Sequence, residues 1–600
     1  MNQLGKQVFM ANETMSTENT ITTINQVLTQ HTDRNGMARQ DALQSTVTLG
    51  NLIPPTVSFD SHGRILVAGA ATVVFRFARK LPPSLHANTV LLCTEGVSSG
   101  AVTPLEFSVF YAKDIAIDGF LGAFDVQIGV REAADGKPQK GALGHDAQNL
   151  AVITTGQPHF DVVVDLTEQG IHQAELPPLG YYAVGRGVCS EEETIEALPD
   201  LTGTFDKPKF FRLDTEKCAH TSRGLEGCTR CIDACPADAL DIVKSAITIN
   251  PYLCQGMGSC ATACPTEAIS YALPDPDNTQ HFLHQLLTHY QAKEGVAPVV
   301  LFYADDDMAP AGETLLANAI AQMPSRVIPV RLEELASVGI DTWFSALVYG
   351  ATQVVLAESP QLHAKTRRVL VQELDIAARF LKTLGLEMHR IAMLPIAELR
   401  HATMFDSEVM SSDTSSDNAP RAKLEGSKRE KLASALDLLA AHTDILPHIV
   451  AVPENAPYGR IDIDTSGCTL CMGCVTVCPT DALKSIGTAP GMTFREQDCV
   501  QCGLCEQSCP ESVISLTPRY NWDSASRQQR QTLHEEEAAE CISCGKPFAP
   551  VSMVNMLIER LRNHSHFQDD AIKRLSMCED CRVRDMVADM IENPDQQIKA

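Results

Sequence analysis

No run of apolar residues in this chain is long enough to cross a bilayer. The longest nearly apolar stretch, Ile65 to Phe75, is closed by Arg76, and no basic start leads into an apolar signal segment. No transmembrane segment and no export signal are therefore expected. Positive charge is scarce as well: 48 Lys and Arg stand against 75 Asp and Glu, a formal net charge of -27. Nucleic-acid binding needs a basic footprint, so that function class is set aside. An acidic surface suits steering onto basic patches of redox enzymes, and equally serves to keep a large protein in solution. The expected location is the cytoplasm, where thiols stay reduced, with peripheral docking on a membrane complex left open.

Catalytic signatures are sparse. The turn Val67 to Thr72 follows a strand-like run and opens a helical one, which is the setting of a dinucleotide phosphate loop. It has Gly69 but lacks the second and third glycines of G-x-G-x-x-G, and ordinary strand-to-helix packing accounts for it equally. Gly185-Arg186-Gly187 is a turn without an assigned role. Residues 296–405 contain no triad, phosphate loop or metal cluster, and the run Asp305-Asp306-Asp307 reads as a solvated loop before it reads as a ligand group.

What the chain does have is cysteine, 21 residues of it, 15 of them in two pairs of clustered motifs that each close with Cys-Pro. The cleaner pair is Cys468, Cys471, Cys474, Cys478-Pro479 and Cys499, Cys502, Cys505, Cys509-Pro510. Both halves match C-x2-C-x2-C-x3-C-P, in which three thiolates grip one iron-sulfur cube and the fourth reaches the other. Each iron takes one soft thiolate, two-residue gaps wrap a tight loop around three corners, and proline turns the chain away. By this cross-ligation rule one cube takes Cys468, Cys471, Cys474 and Cys509, and the other takes Cys499, Cys502, Cys505 and Cys478. Strand-like runs at Arg460–Asp464 and Met492–Phe494 and a short helix at Thr480–Lys484 complete an internal duplication that resembles the bacterial dicluster ferredoxin fold.

An earlier pair departs from the pattern twice. Cys218, Cys228, Cys231 and Cys235-Pro236 carry nine residues in the first gap, and Cys254, Cys260 and Cys264-Pro265 have Met257 at the second ligand position. A longer loop returns Cys218 to its cube at small entropic cost, about 0.6 kcal/mol per doubling of length. The alternative leaves Cys218 a free thiol with His220 or water at that corner. A thioether replaces thiolate poorly on a cluster iron. The site of Cys254, Cys260 and Cys235 is therefore expected to hold [3Fe-4S], or a cube with one labile iron, giving three or four [4Fe-4S] clusters in all.

Cys541-x2-Cys544 and Cys578-x2-Cys581 flank a helical stretch, Val551–Asn563, and suit structural zinc, with an iron site or free dithiols as alternatives. Cys93 lies in an apolar run and reads as core; Cys189 stands alone.

Length suggests about four domains. The expected class is multidomain α/β plus α+β, with two dicluster ferredoxin-like modules, two α/β domains and a C-terminal four-cysteine knuckle segment. Its parts are a polar, poorly ordered lead-in (1–55), an α/β domain (56–205), module A (206–280), a second α/β domain (296–405), a flexible linker (407–431), module B (455–520) and the knuckle segment (535–590). In the first α/β domain, Ile65–Ala68, Val90–Cys93, Leu150–Thr154 and Val162–Asp165 read as strands; in the second, Val299–Tyr303, Val327–Val330, Gln353–Leu356 and Arg390–Leu394 do. A flexible linker either joins the modules or lets the distal one swing between donor and acceptor.

Three stretches carry a family resemblance: Cys218-Ala-His220-x6-Gly227-Cys228-x2-Cys231-x3-Cys235-Pro236, Ser337-Val-Gly-Ile-Asp341 and Cys578-Glu-Asp-Cys581-Arg582. Over most of residues 60–590 the chain resembles the large proteobacterial 4Fe-4S proteins found with molybdenum formate dehydrogenases and their maturation factors. That family has cysteine where this chain has Met257. Residues 296–405 also resemble, faintly, the delta-subunit domain of hydrogenase and heterodisulfide reductase assemblies. The resemblance implies an electron relay between formate dehydrogenase and a downstream acceptor, non-catalytic by itself. The alternatives are a flavin- or nicotinamide-linked oxidoreductase subunit and an assembly or maturation scaffold.

Overall fold

A computed structural model describes residues 24, 27–47, 55–95, 106–129, 147–222, 224–304, 310–402, 405, 422–441, 448–487, 489–564, 567 and 569–592. Asp305-Asp306-Asp307 and residues 406–421 lie outside the described residues.

Five parallel strands build the first α/β sheet, in the order Ser108–Tyr111, Thr89–Cys93, Ile65–Gly69, Val162–Asp165, Tyr181–Tyr182. The central strand Ile65–Gly69 is buried throughout, as a strand covered on both faces must be. The helix Ala71–Ala78 follows it. Leu150–Thr154, expected as a strand, lies in the helix Leu150–Thr155. The side chain of Asn149 accepts from the Val152 amide at 2.9 Å and Gly156 closes the helix at φ 68°, so two end caps override an apolar run of ambiguous period.

The second α/β domain is a four-stranded parallel sheet in the order Val327–Leu332, Val299–Ala304, Gln353–Glu358, Ile391–Pro395. Its core takes in part of the segment expected to be a disordered lead-in. The helix Arg34–Ser45 buries Ala38 and Ala42 on that core, and Arg39 is fully buried. The Arg39 guanidinium donates to the carbonyls of Val327 at 3.0 Å and Leu28 at 3.1 Å, which satisfies a charge that composition alone would place in solvent.

The expected linker is corrected at its C-terminal end. Lys428–Ala440 is a helix that starts in a Ser427/Glu430 capping box, and Leu424, Leu432 and Leu436 are buried. Module B is seated on the second α/β domain rather than tethered to it: Phe380 meets Tyr520 at 4.7 Å, Trp522 at 5.7 Å and Tyr458 at 5.8 Å between ring centroids.

Both modules repeat one plan. In module A, Phe211–Leu213 pairs antiparallel with Ile269–Tyr271, and Leu240–Val243 pairs with Ala246–Ile249. In module B, Gly459–Ile463 pairs with Ile514–Asn521, and Leu483–Ser485 with Gly491–Phe494. The helix expected at Thr480–Lys484 is absent because Asp481, at φ 58°, stops helical propagation and Leu483 enters a strand. Among the described residues no helix is long and apolar enough to cross a membrane.

Candidate metal centres

Each cysteine motif wraps a short helix, Arg230–Ala234 and Ser259–Ala263 in module A, Gly473–Val477 and Leu504–Gln507 in module B. Proline follows the last cysteine of every motif, so the chain leaves the helix and delivers that thiol across the module.

In module B, burial raises the Cys474 thiol to about 12, and the nearby charges of Cys471, Cys468 and Cys509 add to it. These four line one cavity with Met472 and Met492. Burial also raises Cys505, with Cys499, Cys502 and Cys478 as its charged neighbours. Two sets of four thiols therefore form, each with one member from the opposite motif, as cross-ligation requires.

Module A does the same. Cys231 is raised by burial and then by Cys264, Cys228 and Cys218, which brings these four together. The extended loop folds back on itself: Thr221–Ser222 pairs with Leu225–Glu226, the Cys228 amide donates to the Ala219 carbonyl at 3.0 Å, and the Gly227 amide donates to His220. His220 is buried, and its Nδ1 donates to the Cys228 carbonyl at 3.0 Å. Its role is to close the loop that returns Cys218.

The remaining set is Cys254, Cys260 and Cys235, and all three line one cavity with Met257. Burial raises Cys254 to about 11 and Cys260 well above its ordinary value, with Cys254 and Cys235 adding to the latter. Met257 is flanked by Gly256 and Gly258, both at positive φ. A β-carbon at Gly258 would lie 2.7 Å from the Ser337 amide, and the Thr262 hydroxyl donates to the Ala336 carbonyl at 2.6 Å, so the Ser337–Asp341 stretch packs on this motif.

Four cations that sequence reasoning missed surround these sites. Lys207 donates to the carbonyl of Cys254 at 2.7 Å, Lys365 to Cys235 at 2.9 Å, Lys428 to Cys264 at 3.5 Å and Arg429 to Cys499 at 3.0 Å. Each recipient is a candidate ligand, and each donor comes from another segment, so no local spacing announces it. In a chain of net charge -27 such placement sets positive charge where anionic thiolate sets gather. Neutral donors add to it: Ala239 N reaches Cys235 Sγ at 3.4 Å, Leu483 N reaches Cys478 Sγ at 3.5 Å and Gln501 Nε2 reaches Cys499 Sγ at 3.2 Å.

The C-terminal cysteines also converge. The ligand atoms of Cys541, Cys544, Cys578 and Cys581 all lie within 4.8 Å of one another. Cys541 lies beyond the strand Ala538–Glu540, Gly545 turns the knuckle at φ 75°, and Cys578 directly precedes the helix Glu579–Glu592. Desolvation pushes the Cys541 thiol up, but backbone donors led by Cys578 outweigh it and hold it low, at about 6. Four thiolates in one compact group fit a tetrahedral soft-metal site.

Cys93 and Cys189 belong to none of these sets. Cys93 is buried in its strand and pushed up to about 11 by burial, and Cys189 faces the Thr194 hydroxyl at 3.6 Å. At the Gly69 turn a β-carbon would lie 3.0 Å from Leu166 Cβ, so this glycine serves the close approach of strand and loop.

Comparisons with known proteins identify 4Fe-4S domains in both modules. Residues 226–268 match the family model for the 4Fe-4S dicluster domain, and residues 461–484 match the 4Fe-4S binding domain. The chain is similar to the ferredoxin-type protein NapF of Escherichia coli strain K12, with 28% identity over 88 residues, 14% of this chain and 53% of the relative. The same figures hold for NapF of Escherichia coli O6:H1 and O157:H7. The chain thus spans about half the length of the curated relatives it matches. With 4Fe-4S models matched in both modules, the chain carries iron-sulfur domains of the ferredoxin type.

Proposed function

We propose that the chain relays electrons between a formate dehydrogenase and a downstream acceptor in the cytoplasm. The observation that carries the relay is the gathering of its motif cysteines into four compact sets within two ferredoxin-like modules seated on one α/β scaffold. The family resemblance of the cysteine stretches points to formate dehydrogenase as donor.

Three sets, those of Cys218, Cys471 and Cys502, offer four thiolates each and would hold [4Fe-4S] cubes. The Met257 set offers three thiolates and a thioether and would hold [3Fe-4S] or a cube with one labile iron. Bound clusters supply one-electron storage without bond making. The chain's own residues bind them, exclude water and set their potentials: Lys207, Lys365, Lys428 and Arg429 place positive charge beside them, and the amides of Ala239 and Leu483 donate to ligand sulfur. The C-terminal thiols would hold structural zinc.

The test is EPR on anaerobically purified protein mixed with formate and formate dehydrogenase, beside an enzyme-free control. Rapid reduced-cluster signals are expected. Clusters that stay oxidised with formate yet reduce with dithionite would remove formate dehydrogenase as direct donor and leave another redox partner or the assembly-scaffold reading in its place.

A further inference from the structure

The nine-residue extension between Cys218 and Cys228 does more than return a ligand. Its last residue, Gly227, lies against module B: a β-carbon there would come within 2.9 Å of Leu504 Cγ and 3.2 Å of the Cys502 carbonyl. Leu504 is fully buried, so the contact is closed to water. The next residue, Cys228, is a candidate ligand of the Cys218 set, and Cys502 is one of its own set.

The same junction is bracketed by two consecutive side chains. At the start of the helix Lys428–Ala440, Lys428 reaches into module A, to the carbonyls of Ala261 at 3.3 Å and Cys264 at 3.5 Å. Arg429 reaches into module B, to Pro457 at 2.7 Å, Gln497 at 2.9 Å and Cys499 at 3.0 Å. Cys264 belongs to the Cys218 set and Cys499 to the Cys502 set. One helix end therefore bridges the two sets that face each other, with Lys428 also reaching the motif helix that carries Cys260.

We propose that residues Gly227–Cys228 and Cys502–Leu504 form the electron junction between the modules, held by Lys428 and Arg429, so that the four sets make one path. Its order is the Cys471 set, the Cys502 set, the Cys218 set and the Met257 set. One electron leaves one module and enters the other; no bond forms or breaks, and no proton is required. The proposal rests on the electron-transfer reading above. Cys471 is the exposed thiol of the outer set in module B, which makes that end the solvent-facing terminus.

The experiment isolates the junction in the full chain. Cys254→Ser, Cys260→Ser, Cys468→Ser and Cys471→Ser together leave the two inner sets intact. Dithionite-reduced protein of this background should contain about eight irons per chain and give a split EPR signal whose splitting in field units stays constant between microwave frequencies, the mark of two interacting spins rather than of g anisotropy. Adding Gly227→Val should narrow the splitting at unchanged iron, because the added side chain widens the contact and spin coupling falls steeply with separation. Two simple signals already present in the background, at full iron, would overturn the junction; iron far below that content would overturn the cluster assignment beneath it. A reading that needs no ligand change comes from Gly227→Val in the otherwise unaltered chain. Part of the splitting of the fully reduced spectrum should vanish at constant iron, and an unchanged spectrum would sink the proposal.

Discussion

The ammonium of Lys207 donates to the carbonyl of Cys254 at 2.7 Å while lying 5.1 Å from the ring centroid of Phe59. Burial lowers its pKa to about 8, against the opposing pull of Cys254, so it carries its charge at neutral pH. A cation beside a cluster favours the more negative, reduced state. The surroundings of the Cys471 set differ: Glu511 lines its cavity and Glu536 adds to the rise of Cys468 behind burial and the neighbouring thiols. Lys207→Met is expected to lower the potential of the Met257 site by on the order of 50–100 mV, the Coulomb loss at an intermediate dielectric. An EPR-monitored redox titration reads this directly, with the Cys471 site as internal control. Equal potentials in variant and parent would remove Lys207 as a tuning group.

Met257 occupies the second ligand position of its motif and shares a cavity with three thiols. Met257→Cys supplies the missing soft anion. Iron content should rise from about 15 to about 16 per chain, and an oxidised three-iron EPR signal should disappear. If the parent already shows only cubane signals, the thioether is not what limits this site.

Much of the site was legible because cluster ligation is written in short spacings, and Cys468 to Cys509 needed nothing else. Cys218 was legible as to identity, but its route back depends on the His220 and Ala219 hydrogen bonds, which spacing does not encode. Lys207, Lys365, Lys428 and Arg429 were invisible because their partners are backbone carbonyls, which have no sequence signature. The central parallel strands were legible from their apolar runs, but the edge strands Ser108–Tyr111 and Tyr181–Tyr182 were not expected, and Leu150–Thr155 turned on a capping Asn149 that period analysis ignores. Composition misled twice. Arg39 and Lys431 both count as polar, yet both are buried with partners distant in sequence.

Phe380 is fully buried where the second α/β domain meets Tyr458, Tyr520 and Trp522 of module B. Phe380→Ala leaves a cavity among three rings and should cost about 3–5 kcal/mol. Several domains unfold here, so the readout is the lowest thermal transition rather than one global midpoint. That transition should fall while iron content holds. Loss of iron with an unmoved transition would mean the ring cluster supports the sites and not the docking.

Glu373 is half-buried and lines a cavity with Lys428, Arg429 and Tyr458. Burial pushes its carboxyl up, opposed chiefly by Lys428 and Arg230 and aided by Asp341. The folded protein therefore holds this proton more tightly than the unfolded chain does. Its stabilising contribution is complete below the ordinary value of 4.5 and is lost as pH rises through the elevated one. Glu373→Gln should flatten the fall in thermal stability over that window and raise stability at neutral pH. Parallel curves for variant and parent would show that Lys428 and Arg230 compensate the carboxylate in full.

The four C-terminal thiols lie on two knuckles 34 residues apart, and Cys544 Sγ stands 3.7 Å from Cys578 Sγ. Around them the apolar content is thin: the helix Val551–Leu561 buries only Val554, and Glu579–Glu592 buries only Cys581. With so small a core, a metal bound by these thiols would act as the staple that orders the segment. Cys541→Ser is expected to remove about one zinc per chain while leaving iron unchanged, and to open residues 538–592 to limited proteolysis. Elemental analysis and protease mapping check both parts. If the substitution removes iron instead, the C-terminal site is a further iron centre, and if neither metal changes, the thiols are an uncoordinated pair of dithiols.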